Sequence, residues 1–371
     1  MVHLNHMVVK PTTLAEIGEA VAQSPHVVVR AGASKPALAM PPNGSAVLDL
    51  SGLSGVLEYE PGEFTFTALA GTRVAVVRDL LAQHAQYLPF DPPLVERGAT
   101  LGGTVAAGLS GSGRYRFGGV RDFILGVRFV DAKGRLVRGG GKVVKNAAGF
   151  DLPKLMVGSL GQYGVLAEFS FKVFPRPEAY LSVRAKYPAF DDARLAMQRV
   201  YTAPVDVDAL DLLADTNEGS ELWVRLGGLS SVLAARADRI RGLLGGDDAQ
   251  VLAGPDDEQA WELVREFRWV PPGWALVKVP LSPARVAAFD AALSAGQALR
   301  RYTAGGNVAW VALPADKLPA IETTLAAQAL AGLVVLGPPG RPLLGPRVGE
   351  GFARRVKAAL DPGGKFATVP Q

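Results

Sequence analysis

The chain has 371 residues, 49% hydrophobic and 20% charged, with a formal net charge of +4. That is the balance of a packed globular protein and excludes a disordered one, and the length favours two cores over one. There is no cysteine, which removes disulfides, thiolate catalysis, thiolate zinc sites and protein-held iron–sulfur clusters together, and fits a reducing cytoplasm.

Met1–Met7 lacks the basic start and apolar run of a signal peptide, and no stretch reaches 18 apolar residues, so neither a signal nor a spanning segment is expected. The mild charge comes without a Lys/Arg run interleaved with aromatics, which argues against nucleic acid as a partner. Glycine is over-used, 43 residues against an average of about 7%, so the backbone must turn tightly or approach a ligand closely.

In chain order, residues 14–24 predict an amphipathic helix and Val27–Arg30 a strand that runs into Ala31-Gly-Ala-Ser-Lys-Pro36. Strands follow near Ala46–Leu50 and Phe64–Ala70, then a helix at Val74–Gln83. Asp91-Pro-Pro93 breaks regular structure, and Gly98–Gly119 reads as a long glycine-rich tract. Leu125–Val130, the turn Asp131–Gly134 and Arg135–Arg138 predict a hairpin. A short helix at Leu152–Val157 and a strand at Val165–Val173 come next, and Pro175-Arg-Pro177 marks a domain boundary.

Beyond it the texture changes. Tyr180–Lys186, Ala193–Val200, Val207–Leu212, Leu222–Leu226 and Val232–Leu244 read as strand, helix, strand, strand, helix. A similar order recurs at Trp274–Val279, Pro283–Leu293, Leu299–Thr303, Val308–Leu313, Leu318–Ala327 and Leu333–Leu336. Two βαββαβ-like units would build an antiparallel sheet with helices on one face. The tail from Arg341, with a helix near Phe352–Leu360, is expected to return to the first domain. The expected partition is therefore 1–177, 178–340 and 341–371.

Three phosphate-binding patterns compete for the glycines. A Rossmann fingerprint fails at Gly111-Ser-Gly-Arg-Tyr-Arg116, where Arg116 stands in place of the third glycine. A Walker A loop fails at Gly141-Lys142, preceded by Leu136 at the first glycine position and followed by Val143. There remain two separated glycine-rich segments, Ala31–Pro36 and Ala99–Gly108, whose bare backbones could face each other and wrap an extended dinucleotide.

The order of motifs then resembles a known family. Arg30-Ala-Gly-Ala-Ser-Lys35 is similar to the pyrophosphate loop of the vanillyl-alcohol oxidase (p-cresol methylhydroxylase-type) FAD-binding family. Leu88–Pro93 with Ala99–Gly108 resembles its second FAD loop, and Tyr115–Gly126, Lys145–Asp151 and Gly158–Leu166 complete the series. The match covers about residues 8–177, and within the family the likeness is closest to the flavin-binding E subunits of bacterial glycolate oxidases.

The resemblance implies an α+β fold: a two-part FAD-binding domain of the p-cresol methylhydroxylase type with a second, antiparallel α+β (ferredoxin-like) cap domain. It implies an FAD-dependent oxidoreductase acting within a complex that also holds a larger catalytic flavin subunit and an iron–sulfur subunit, cytoplasmic and reaching a membrane only through partners. Carried over by position, the backbone of Gly32, Ala33, Ser34 and Lys35 should hold the pyrophosphate. Pro92, Thr100, Gly102, Gly103, Ser110, Gly111, Gly118 and Asp122 should lie along the FAD, and the main chain of Val165 is a candidate for the adenine edge. The first loop carries neither His nor Cys, the family's covalent attachment residues, so the FAD should be dissociable.

Catalytic residues are not assigned. Oxidising a 2-hydroxy acid needs a base, hydride transfer to the flavin and a cation for the carboxylate. The resemblance implies that catalytic relatives supply histidines from the second domain, yet the only histidines here are His3, His6, His26 and His84. This favours a subunit that carries electrons or supports a catalytic partner. Two alternatives stay open: an independent FAD-linked 2-hydroxy acid dehydrogenase, and a non-redox binding module on the same fold. Arg225 and Arg301 are expected to be solvated at strand ends, Glu266–Trp274 to pack aromatics in a loop, and Arg354, Arg355 and Lys357 to form a wet helix face.

Overall fold

The computed structural model describes residues 8–39, 44–141, 150–216, 219–245, 249–294 and 296–369. The motif residues 145–149, with His3 and His6, lie outside them. The chain divides into two compact units, one of residues 1–110, 119–175 and 348–371, the other of residues 111–118 and 176–347.

The first unit has two sheets. β1 (Val8–Val9), β2 (Val27–Arg30) and β3 (Ala46–Asp49) form a parallel sheet in the order β1-β3-β2. The crossover is α1 (Leu14–Gln23), whose start is fixed by Thr13, where Oγ1 accepts from the Glu16 N–H at 3.3 Å. β4 (Val56–Glu60), β5 (Thr65–Leu69), β7 (Ile124–Val130), β8 (Leu136–Gly140) and β9 (Val165–Lys172) form an antiparallel sheet ordered β4-β5-β9-β7-β8. Two short strands, β6 (Gln86–Tyr87) and β10 (Phe174–Pro175), pair beside it. Ile17, Val21, Leu48, Val130, Val165 and Phe366 share one buried apolar cluster. Phe366 comes from the tail: Val27 N–H donates to the Lys365 carbonyl at 2.9 Å, in a parallel bridge beside the edge strand β2.

The tail is locked by a residue expected on a wet face. Lys357 Nζ donates to the carbonyls of Gln162 (2.8 Å) and Phe366 (2.7 Å) and pairs with Asp361 at 2.5 Å. Asp361 in turn accepts from the N–H groups of Lys365 and Phe366, both at 2.8 Å. Lys357 is thus turned inward, where its ammonium satisfies backbone carbonyls at the point where the chain closes.

The glycine-rich tract is not one loop. Leu101–Ala107 is a helix (α2 being Val74–Ala82 and this α3), and short helical turns follow at Arg114–Phe117 and Val120–Phe123. Glycines at positions 102 and 103 weaken the helical signal, but Thr100 caps the start and Gly108, at φ +61°, ends α3 in the left-handed conformation.

The second unit is built on a nine-stranded antiparallel sheet of β11 (Ala179–Tyr187), β12 (Ala209–Thr216), β13 (Gly219–Gly228), β14 (Gln250–Ala253), β15 (Trp274–Pro280), β16 (Leu299–Thr303), β17 (Val308–Pro314), β18 (Gly332–Leu336) and β19 (Leu343–Leu344). Their order is β14-β11-β13-β12-β16-β17-β15-β18-β19. The first four strands follow the 4-1-3-2 order of a βαββαβ unit, and the next four mirror it as 2-3-1-4. The expected duplication is therefore present, and the copies join through their equivalent strands, with Leu213 opposite Arg301. β14 and the helix Pro255–Arg265 lie beyond the elements predicted from sequence.

Candidate cofactor site

The pyrophosphate-like loop leaves β2 at Arg30 and turns through Gly32 and Ala33, the latter at φ +47°. Gly32 has no room for a side chain. A Cβ there would lie 2.0 Å from the Gly98 carbonyl oxygen and 3.1 Å from Thr100 Cγ2. The two glycine-rich segments therefore meet backbone to backbone, a distance that only glycine permits.

The second segment is strapped to the end of β5. Val74 N–H donates to the Ala99 carbonyl (2.8 Å), Leu101 N–H to Thr72 (2.9 Å) and Gly102 N–H to Ala70 (2.8 Å). A Cβ on Gly102 would meet the Ala70 oxygen at 2.9 Å, so this glycine is needed for packing. Thr100 Oγ1 accepts from the Gly103 N–H at 3.2 Å. Gly103 then presents bare backbone toward Lys35, whose Nζ would lie 3.7 Å from a Cβ at that position.

Lys35 is 9% exposed, and its Nζ donates to Ser34 Oγ at 3.0 Å. Burial pushes this ammonium down from the ordinary 10.5 to about 8. Among the described residues no carboxylate pairs with it. A buried cation that pairs with no carboxylate among the described residues, with a glycine of the second loop beside it, fits a diphosphate.

The other predicted site residues divide. Pro92 is buried in the turn after Asp91, which itself sits at φ +51°. Ser110 Oγ accepts from Val120 N–H (2.9 Å), and Asp122 accepts from Gly119 N–H (2.8 Å), so both side chains organise the 110–123 turn. Gly111 and Gly118 belong to the second unit, Gly118 at φ +91°. Val165 opens β9 opposite Val130, fully buried, and its entry needs Gly164, where a Cβ would strike Phe129 at 2.7 Å. The structure thus gathers Gly32, Ala33, Ser34, Lys35, Thr100 and Gly103, with Gly102 as packing support.

The second unit holds a buried polar and aromatic cluster that local sequence did not reveal. Arg301, 2% exposed, pairs with the fully buried Asp211 at 3.0 Å, and Ser112 Oγ donates to the same carboxylate at 2.5 Å. Arg225 pairs with the fully buried Asp257 at 2.6 Å, which also accepts from Ser182 Oγ at 2.5 Å. Arg301 lies 4.9 Å from the Trp223 ring centre and Arg225 4.0 Å from that of Tyr180. The expectation that Arg225 and Arg301 are solvated is corrected: aspartates from β12 and from helix Pro255–Arg265 draw them beneath aromatic rings. The aromatic reading of Glu266–Trp274 is met in Phe267, whose ring centre lies 4.6 Å from that of Trp310. Among the described residues, no group of three or more His, Asp or Glu could hold a metal ion.

With this geometry in view, comparison with known proteins is decisive. A family model described as an FAD binding domain matches residues 6–140. The glycolate oxidase subunit GlcE of Escherichia coli (strain K12) is 38% identical over 68% of this chain and 67% of its own. The chain belongs to this family of FAD-binding oxidoreductase subunits. The glycolate oxidase subunit GlcD of Bacillus subtilis (strain 168) is 29% identical over 47% of this chain, and here only 37% of the relative is covered. The D-lactate dehydrogenase of Anaerostipes hadrus is 28% identical over 46% of this chain, with 35% of the relative covered.

Solved structures carry the fold further than sequence does. An alkyldihydroxyacetonephosphate synthase aligns over 98% of this chain and 75% of its own with a TM-score of 0.71 at 16% identity. A chitooligosaccharide oxidase aligns over 96% and 89% with a TM-score of 0.69 at 14% identity. The α+β architecture expected from the motifs is thus the fold that these two structures share with the chain.

Proposed function

We propose that the chain is the FAD-binding subunit of a glycolate-oxidising complex, carrying electrons for, or supporting, a larger catalytic flavin subunit. The first unit, through residue 175 and again from 348, holds the cofactor, and the second unit is the cap. The observation that carries this reading is the apposition of Gly32 to Gly98 and of Gly103 to the buried Lys35 ammonium, in a chain 38% identical to a glycolate oxidase subunit.

FAD, when bound, supplies the two-electron acceptor chemistry of the family. The backbone of residues 32–35 would bind its diphosphate, Lys35 would balance the charge, Thr100, Gly102 and Gly103 would lie along the FAD, and the main chain of Val165 would lie toward the adenine. Pro92, Ser110 and Asp122 would complete the binding path in the first unit, Ser110 and Asp122 by shaping its turns. Attachment is non-covalent, since neither His nor Cys stands in the first loop.

The residue inventory supports a partner that performs the chemistry. No histidine occurs after His84, so the second unit offers no imidazole base. The partners on this reading are a larger flavin subunit and an iron–sulfur subunit. No helix among the described residues is long and apolar enough to cross a membrane; on this reading, membrane association is through those partners.

The test is anaerobic addition of glycolate or D-lactate to the purified, FAD-loaded chain. Flavin absorption that stays oxidised until the larger flavin subunit is added supports the reading. Bleaching by the chain alone would make it an independent dehydrogenase.

A further inference from the structure

Lys35 is held in a way that its own neighbours do not explain. An ammonium has three N–H donors. Among the described residues only Ser34 Oγ, at 3.0 Å, receives one of them. The segments that meet here carry Arg30, Arg73, Asp91, Glu96 and Arg97, and none of these bonds Lys35; Glu96 is committed to Arg78 at 2.8 Å. The side chain is 9% exposed and Gly103 offers it bare backbone, not an acceptor side chain. Burying a cation so poorly served is costly, and a ligand that brings negative charge removes the cost.

We propose that the Lys35 side chain is the resident counter-charge for the FAD diphosphate, and that FAD binding is thereby coupled to proton uptake at this residue. This rests on the FAD reading of the site and adds to it a linkage and a discrimination. Flavins with a diphosphate bind in step with the protonation of Lys35, whereas riboflavin, which has none, does not. The FAD-free protein holds this ammonium with a midpoint of about 8. Above that pH the free protein has lost the proton that the bound state keeps, so each binding event takes one up.

The experiment is fluorescence titration of FAD into the full chain from pH 7 to 9.5, with Lys35→Met alongside, and calorimetry at pH 9 in two buffers of different ionisation enthalpy. The expected result is a wild-type Kd that weakens about thirtyfold across this range, as a single group titrating near 8 requires. Lys35→Met should bind weakly at pH 7 and show no such slope, and wild type should take up close to one proton at pH 9. If Lys35→Met and wild type share one pH profile, or if calorimetry shows no proton uptake, the proposal is overturned. Should the variant not fold, the buffer-dependence of the wild-type heat still decides. Absence of FAD binding at every pH would instead sink the FAD reading itself.

Discussion

Gly32 and Gly98 stand so close that the first side-chain carbon of any other residue at 32 would lie 2.0 Å from the Gly98 carbonyl oxygen. Backbone atoms cannot yield as side chains do, so Gly32→Ala should force the two loops apart. The expected outcome is loss of FAD binding together with a stability loss of at least about 1–3 kcal/mol, the range for overpacking. Gly62→Ala is the internal control, because nothing lies within 4 Å of a Cβ there; it should stay within about 0.5 kcal/mol of wild type. Denaturant unfolding and FAD titration of both variants check this.

Lys35 should trade stability for binding. Its ammonium falls from 10.5 to about 8 on folding, so between those values the unfolded chain holds more protons than the folded one. The penalty is therefore full below pH 8 and fades as pH rises toward 10.5. Lys35→Met should stabilise the FAD-free protein at pH 7 by roughly 1–3 kcal/mol, and the advantage should shrink by pH 10. Thermal melts of both proteins without FAD, at pH 7 and 10, provide the measurement.

The Asp211–Arg301 pair, spanning the two copies in the nine-stranded sheet, should behave as a buried ion pair. Arg301→Met leaves a fully buried carboxylate without its partner, at an expected cost of about 3–5 kcal/mol. Replacing both, Arg301→Met with Asp211→Leu, should recover most of that loss. A double variant as unstable as the single one would mean that packing, not charge, holds this seam.

Much of the architecture was legible because its signals are local. Val27–Arg30 is a β-branched run with clear ends, and it folds as a strand over those residues. The motifs of the two FAD loops are also local, and they led to Gly32–Lys35 and Thr100–Gly103. What stayed hidden depends on distant partners. Helix α3 forms despite Gly102 and Gly103, because Gly102 must fit against Ala70, more than thirty positions earlier. Arg225 and Arg301 look like solvated strand residues until Asp257 and Asp211 arrive from other elements. Lys357 likewise turns inward only because the carbonyls of Gln162 and Phe366 converge on it.

The most direct test of the central claim is gel filtration of the purified chain after incubation with FAD, followed by acid denaturation. Flavin absorption should co-elute with the protein, vanish in Gly32→Ala, and pass entirely into the acid supernatant as free FAD. A chain that elutes colourless, or flavin that stays with the precipitate, would contradict a non-covalent FAD site between these loops.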